Sequence, residues 1–144
     1  NQNIQTGKRI TNAKLVNFDN DNLSFERIIT KPTFIFFWSS SRKSHAIRAQ
    51  KLASSLQQKY PEYSYLAINV NDSYDNWQNT VSRYNFDSAK QYYFKDSFDE
   101  LAEDLALNSL LKTFIVDRNG IIINAHANIF SSNFEQELLE ALNQ

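Results

Sequence analysis

Cysteine is missing from all 144 residues, and its absence removes more chemistry than any other feature of the composition. Without that sulfur there is no disulfide, no thiolate nucleophile, no Cys-bound zinc and no iron–sulfur cluster. Thiol usage therefore says nothing about compartment. Histidine is scarce as well: only His45 and His126 offer an imidazole, and they lack the helical i, i+4 spacing that clamps zinc. No metal and no cofactor is expected. Methionine is absent even at the start, so a chain opening at Asn1 reads as a mature or trimmed fragment, with any leader or anchor out of view. No apolar run approaches the ~20 residues of a membrane-spanning helix. The longest, positions 34–38 and 121–123, are strand-sized, and no membrane span is expected in the visible chain.

What is present is ample core material: 42% hydrophobic and 14% aromatic residues against 22% charged, a balance that excludes a disordered chain. The length fits one domain over residues 1–144, with 1–11 expected to be a loose polar terminus. Net charge is −1, and no nucleic-acid partner is expected. Charge is nonetheless uneven. Arg27, Lys31, Arg42, Lys43, Arg48, Lys51 and Lys59 follow one another with no acidic residue between them, whereas positions 62–104 are predominantly acidic. Such polarity can steer an anionic partner to one face, or form an ordinary solvated helix surface.

Along the chain, Leu15, Val16 and Phe18 precede the turn-rich Asp19-Asn20-Asp21-Asn22, and Leu23, Phe25 and Ile28 follow, which predicts a β-hairpin. A calcium-loop reading from Asp19 fails, because Ser24 and Thr30 stand where Gly and Glu are required. Thr33-Phe34-Ile35-Phe36-Phe37-Trp38 is a strand buried on both faces. After Ser39-Ser40-Ser41, positions 42–60 predict a helix with His45, Ala49, Leu52 and Leu56 inward, ended by Pro61. Positions 63–70 predict a second buried strand, parallel to the first because a helix intervenes. Tyr74, Trp77, Val81 and Tyr84 mark another helix capped by Asp72 or Ser73, and Tyr92-Tyr93-Phe94 a short extended segment. Two capping boxes, Ser97-x-x-Glu100 and Ser132-x-x-Glu135, open helices with apolar stripes at Phe98, Leu101, Ala102 and Leu105 and at Phe134, Leu138 and Leu142. Between them, Asp117-Arg118-Asn119-Gly120 joins two antiparallel strands, with Asn-Gly supplying positive φ.

The fold class is thus α/β: a central mixed sheet with helices on both faces and an extra N-terminal hairpin. This order, with Phe36-Phe37-Trp38-Ser39-Ser40 at a strand end, Lys31-Pro32-Thr33 before it, Trp77, and Thr113-Phe114-Ile115-Val116-Asp117-Arg118-Asn119-Gly120, resembles the thioredoxin superfamily. More narrowly it is similar to the envelope thiol–disulfide oxidoreductases of the TlpA and ResA type. The resemblance implies a thioredoxin-like fold, a bacterial cell-envelope or periplasmic location and attachment to the membrane through a segment not in view. It also places the family's two active-site cysteines at Arg42 and His45, with Lys43 and Ser44 between, and the family's cis-proline at the dipeptide Leu111-Lys112. Guanidinium and imidazole cannot open a disulfide. The expectation is therefore a redox-inactive domain with no catalytic residue of the family.

Candidate binding residues cluster at the same place: Trp38, Ser39, Ser40, Ser41, Arg42 and Lys43. Serine hydroxyls, helix N-terminal N–H groups and two basic side chains can converge on a small anion. Alternatively, Ser41 caps the helix while Arg42 and Lys43 bend into solvent, and His45 is a hydrogen-bonded core residue. Trp38 and Trp77 are read either as borders of a groove or as core. The leading function is a binding or protein-interaction module with another envelope protein as partner. The alternatives are an enzyme of another class using the 39–45 loop as an anion or acyl-group site, and a structural spacer of a larger envelope protein.

Overall fold

β-Branched and aromatic side chains fill Thr33–Trp38, and all six residues are buried, so the strand they form (β3) is the spine of the molecule. The computed structural model describes residues 6–95 and 112–143. The other strands are β1 (Lys14–Val16), β2 (Asn22–Ser24), β4 (Ser64–Asn69), β5 (Gln91–Phe94), β6 (Thr113–Val116) and β7 (Ile122–Ala127); the helices are α1 (Phe25–Ile28), α2 (Lys43–Lys59), α3 (Tyr74–Arg83) and α4 (Phe134–Ala141). They build one seven-stranded mixed sheet in the order β2-β1-β5-β4-β3-β6-β7.

β3 pairs in parallel with β4, from Thr33 opposite Ser64 to Trp38 opposite Asn69, and antiparallel with β6, from Thr33 opposite Val116 to Phe36 opposite Thr113. β4 then pairs in parallel with β5. Two successive crossovers, through α2 and through α3, therefore step the same way across the sheet. The right-handed rule for such crossovers places both helices on one face. The core agrees: Phe34, Phe36 and Trp38 pack with Ala46, Ala49 and Ala53 of α2, Trp77 and Val81 of α3, and Phe134 and Leu138 of α4. On the other face Ile35, Phe37, Leu66, Ile68 and Phe114 pack with Phe25 of α1. Each buried Phe, Ile or Leu among them contributes ~1.5–3 kcal/mol by leaving water, and each alanine less.

Several expectations are corrected. The N-terminal segment is not loose from Gly7 onward: the Gly7 and Ile10 N–H groups donate to the Ile122 and Gly120 carbonyls at 2.7 and 2.8 Å, and Ile10 is buried. The hairpin's second strand stops at Ser24, and Phe25–Ile28 is a helical turn instead. In α2 the buried positions are Ala46, Ala49, Gln50, Ala53 and Leu56, so the inward face is rotated from the His45, Leu52 stripe. Small alanines let the helix approach the sheet, which side-chain size alone does not reveal. Of the two caps expected for α3, Asp72 or Ser73, the structure has Ser73, accepting from the Asn76 N–H at 3.0 Å. No capping box opens α4: its cap is Asn133 without a side-chain bond, because Glu135 turns instead to Lys59 and Tyr60 at 2.7 and 2.6 Å. In the β6–β7 turn only Gly120 has positive φ (79°). Asp117 does the rest, its Oδ1 accepting from the Asn119 and Ile121 N–H groups. The helix expected from Ser97 and Glu100, with Phe98, Leu101, Ala102 and Leu105, lies outside the described residues.

Candidate functional site

Parallel strands end together, so the loops that follow β3 and β4 emerge side by side at one pole of the sheet. The first carries Ser39-Ser40-Ser41-Arg42 into α2, the second Val70-Asn71-Asp72-Ser73 into α3. They are joined through a single carboxylate. Asp72 Oδ2 accepts from the Ser40 N–H at 2.8 Å and from Asn69 Nδ2 at 2.7 Å, while the Ser40 hydroxyl donates to Asp72 Oδ1. The Asp72 carbonyl accepts from the Tyr93 hydroxyl at 2.8 Å. Burial first, and then the Asp72 charge, raise that phenol's pKa above its ordinary value.

This arrangement alters the roles expected of the serines. Ser39 is buried and shares a 3.1 Å hydrogen bond with the Ser41 hydroxyl, and Ser40 is committed to Asp72. The hydroxyls of Ser39 and Ser40 thus serve an internal network rather than converging outward on a ligand. Ser41 does not cap α2 either; the cap is Arg42, with no side-chain bond and no acidic residue in the first turn. The Arg42 N–H donates to the Ser39 carbonyl at 3.1 Å and its own carbonyl accepts from Ala46, so the backbone enters the helix through a tight turn.

Arg42, Lys43 and Ser44 are exposed and rim, with Ser40, Ser41 and His45, an open depression of about 590 Å³. Two cations at the positive end of a helix dipole cost ~0.3–1 kcal/mol each at an exposed site. His45 is half-buried overall, with both ring nitrogens shielded from solvent. Its ring meets the edge of Phe130 at 5.2 Å, whose face also carries the Arg48 guanidinium at 4.6 Å. The loop after β7 is fixed there by the buried Thr113, whose Oγ1 accepts from the Ile129 N–H at 3.0 Å.

Trp38 does not border a groove. It is 0% exposed and packs edge-on against Phe86 at 5.4 Å. Trp77 is equally buried, stacked on Tyr93 at 5.5 Å with Phe18 and Tyr74 at its edges. Both are core residues, and Trp38 is corrected out of the binding set. Of the dipeptide set at the family's cis-proline position, Lys112 is half-buried next to Thr113 at the start of β6, close to the end of β3; Leu111 lies outside the described residues. Sequence reasoning missed Asp72 and Phe130 as parts of this pole. The signal for Asp72 was available in principle: once β3 and β4 are aligned with Trp38 opposite Asn69, the loops beyond them must meet.

What the pole can do chemically is limited. Among its described residues are guanidinium, ammonium, imidazole and hydroxyl groups, with one carboxylate already accepting three hydrogen bonds. With no sulfur anywhere in the chain, dithiol–disulfide exchange is impossible, because both the attacking and the resolving atom are missing.

No family model matches this sequence, and no curated protein matches it by sequence. Solved structures do match in shape. The thioredoxin domain of a thiol-disulfide oxidoreductase from Bacteroides vulgatus superimposes with a TM-score of 0.78 at 11% identity, over 95% of this chain and 97% of that one. A thiol:disulfide interchange protein from Bacteroides sp. gives 0.71 at 14%, over 96% and 90%. A thiol-disulfide oxidoreductase from Bacteroides fragilis gives 0.71 at 19%, over 94% and 99%. The chain has the thioredoxin-like fold of these disulfide-exchange domains, and it carries that fold without a single cysteine.

Proposed function

We propose that this domain is a redox-inactive, thioredoxin-like binding module that recognises another protein of the bacterial cell envelope through the pole at the start of α2. The observation that carries the reading is the chemistry of that pole. Exposed Arg42 and Lys43 stand at a helix start where the family resemblance sets a reactive thiol, and Ser40 beside them gives both its N–H and its hydroxyl to Asp72. A surface of exposed cations around an open depression is suited to contact, not to electron transfer. Envelope placement, with attachment through a segment outside this chain, rests on the resemblance to the TlpA and ResA type.

Two measurements test it. Insulin reduction in the presence of a dithiol donor is expected to run no faster than with heat-denatured protein, and sustained turnover would sink the proposal. Immobilised wild type is expected to retain an envelope protein that the Arg42→Glu/Lys43→Glu variant releases at an unchanged melting temperature. Equal retention by both would remove the pole from the binding role.

A further inference from the structure

α2 carries Lys43, Arg48, Lys51 and Lys59 and no acidic residue. Arg48 is laid on Phe130 and Lys59 is paired with Glu135 at 2.7 Å. Lys43 and Lys51 are left facing the groove that separates α2 from α3. Two depressions run along it. One, of about 340 Å³, lies between Ser40 and Lys43 on one side and Asn79, Arg83 and Tyr84 on the other. The next, of about 610 Å³, lies between Lys51 and Ser54 and the segment Tyr84, Phe86 and Asp87. Among the described residues, Lys43, Lys51 and Arg83 form no ion pair. Among the described residues the carboxylate lining the groove is Asp87. It keeps its charge while accepting from the Ala89 N–H of its own turn, and is outnumbered by the three cations.

The wall shared by both depressions is Tyr84. Asn85 sits in the left-handed region at φ 57°, which folds the chain so that Tyr84 and Phe86 stack at 6.0 Å. Phe86 in turn abuts the fully buried Trp38. Tyr84 is therefore the outer end of an aromatic column rooted in the core, flanked by Lys43 and Lys51 across the two depressions and over-spanned by Arg83 at 5.9 Å. A rigid aromatic with neighbouring Arg and Lys is the kind of anchor that dominates protein interfaces, since little entropy is lost in ordering it.

We infer that the α2–α3 groove docks an acidic peptide segment of the partner protein, its carboxylates on Lys43, Lys51 and Arg83 and an apolar or aromatic side chain against Tyr84. The inference rests on the reading of the domain as a binding module. Charge complementarity selects the occupant. A single-stranded nucleic acid would also favour cations and a ring, but the chain's net charge of −1 and pI near 6.1 set it against a polyphosphate backbone.

The test uses the whole chain and a short fluorescein-labelled peptide of alternating Glu and Phe, read by polarisation and by amide chemical shifts. Saturable binding that weakens with salt is expected, with shifts at Lys51 and residues 83–86. Lys51→Glu and Arg83→Glu are each expected to weaken binding ~tenfold or more. Tyr84→Ala does the same, Tyr84→Phe binds nearly as wild type, and Arg118→Glu, at the opposite end of the sheet, has no effect. Equal binding of a Lys and Phe peptide, tighter binding of a single-stranded oligonucleotide, shifts mapping elsewhere, or indifference to both charge reversals would each overturn the inference. So would self-association of the chain that buries the groove and excludes the peptide. The insulin assay on the same sample separates the two levels: absent peptide binding with background reduction rejects the groove alone, whereas turnover rejects the module reading beneath it.

Discussion

Gln50 of α2 and Gln91 of β5, 41 positions apart, exchange two hydrogen bonds inside the core: Gln50 Nε2 donates to Gln91 Oε1 at 3.1 Å, and Gln91 Nε2 donates to Gln50 Oε1 at 2.8 Å. Both side chains are buried. A buried amide needs a partner for both its donor and its acceptor, and each of these two supplies both for the other, so the pair ties α2 to the sheet. Replacing one member, Gln50→Leu, strands the other amide and is expected to cost ~1–3 kcal/mol. The double variant Gln50→Leu/Gln91→Leu is expected to recover much of that loss. Chemical denaturation of the four-member cycle measures it, and additive costs would show that the two amides do not stabilise each other.

Asp72 holds the two polar loops together. Asp72→Ala leaves the Ser40 N–H, the Ser40 hydroxyl and Asn69 Nδ2 without the acceptor they now share, and a loss of ~1–3 kcal/mol is expected. Asp72→Asn keeps the shape but lacks the charge and the second acceptor, and its cost is expected to be smaller. Amide exchange at positions 40–42 should quicken in Asp72→Ala. Unchanged exchange there would mean the loop is held by the backbone alone.

Trp38 is a core residue of the thioredoxin-like sheet, and its truncation should behave as one. Trp38→Ala is expected to lower unfolding free energy by ~3–5 kcal/mol and to loosen the Phe86 and Tyr84 rings that lean on it. A denaturation midpoint within error of wild type would contradict this packing.

Alkaline stability follows from Tyr63 and Tyr65. Burial first, aided by the charges of Glu62 and Asp87 respectively, pushes each phenol from its ordinary value of 10.0 up to about 12. Below pH 10 folded and unfolded chains both keep these protons, and the contribution is present in full. Between 10 and about 12 the unfolded chain gives up protons that the folded chain retains, so stability falls as pH rises. Tyr63→Phe also loses the bond to the Leu138 carbonyl at 2.8 Å, costing ~1 kcal/mol at neutral pH, yet its stability should decline less steeply across that window. Denaturant midpoints against pH, with tyrosinate absorbance, provide the readout.

The residues themselves settled the main negative and much of the framework. The lack of sulfur excludes disulfide exchange whatever the fold, and the run Thr33–Trp38 could only be a strand covered on both faces. A helix between two such runs required them to be parallel. These are short-range matters of composition and spacing. Tertiary structure decided the partners: Ser40 with Asp72, Gln50 with Gln91, Phe130 against His45, and Gly7 to Ile10 along the β6–β7 turn. It also decided which side of α2 faces inward, because Ala46 and Ala53 weigh little in an apolar stripe but fit closest to the sheet. Periodicity reports how a segment repeats over a few residues. Which donor meets which acceptor tens of positions away is set only when strand register brings the ends of β3 and β4 level.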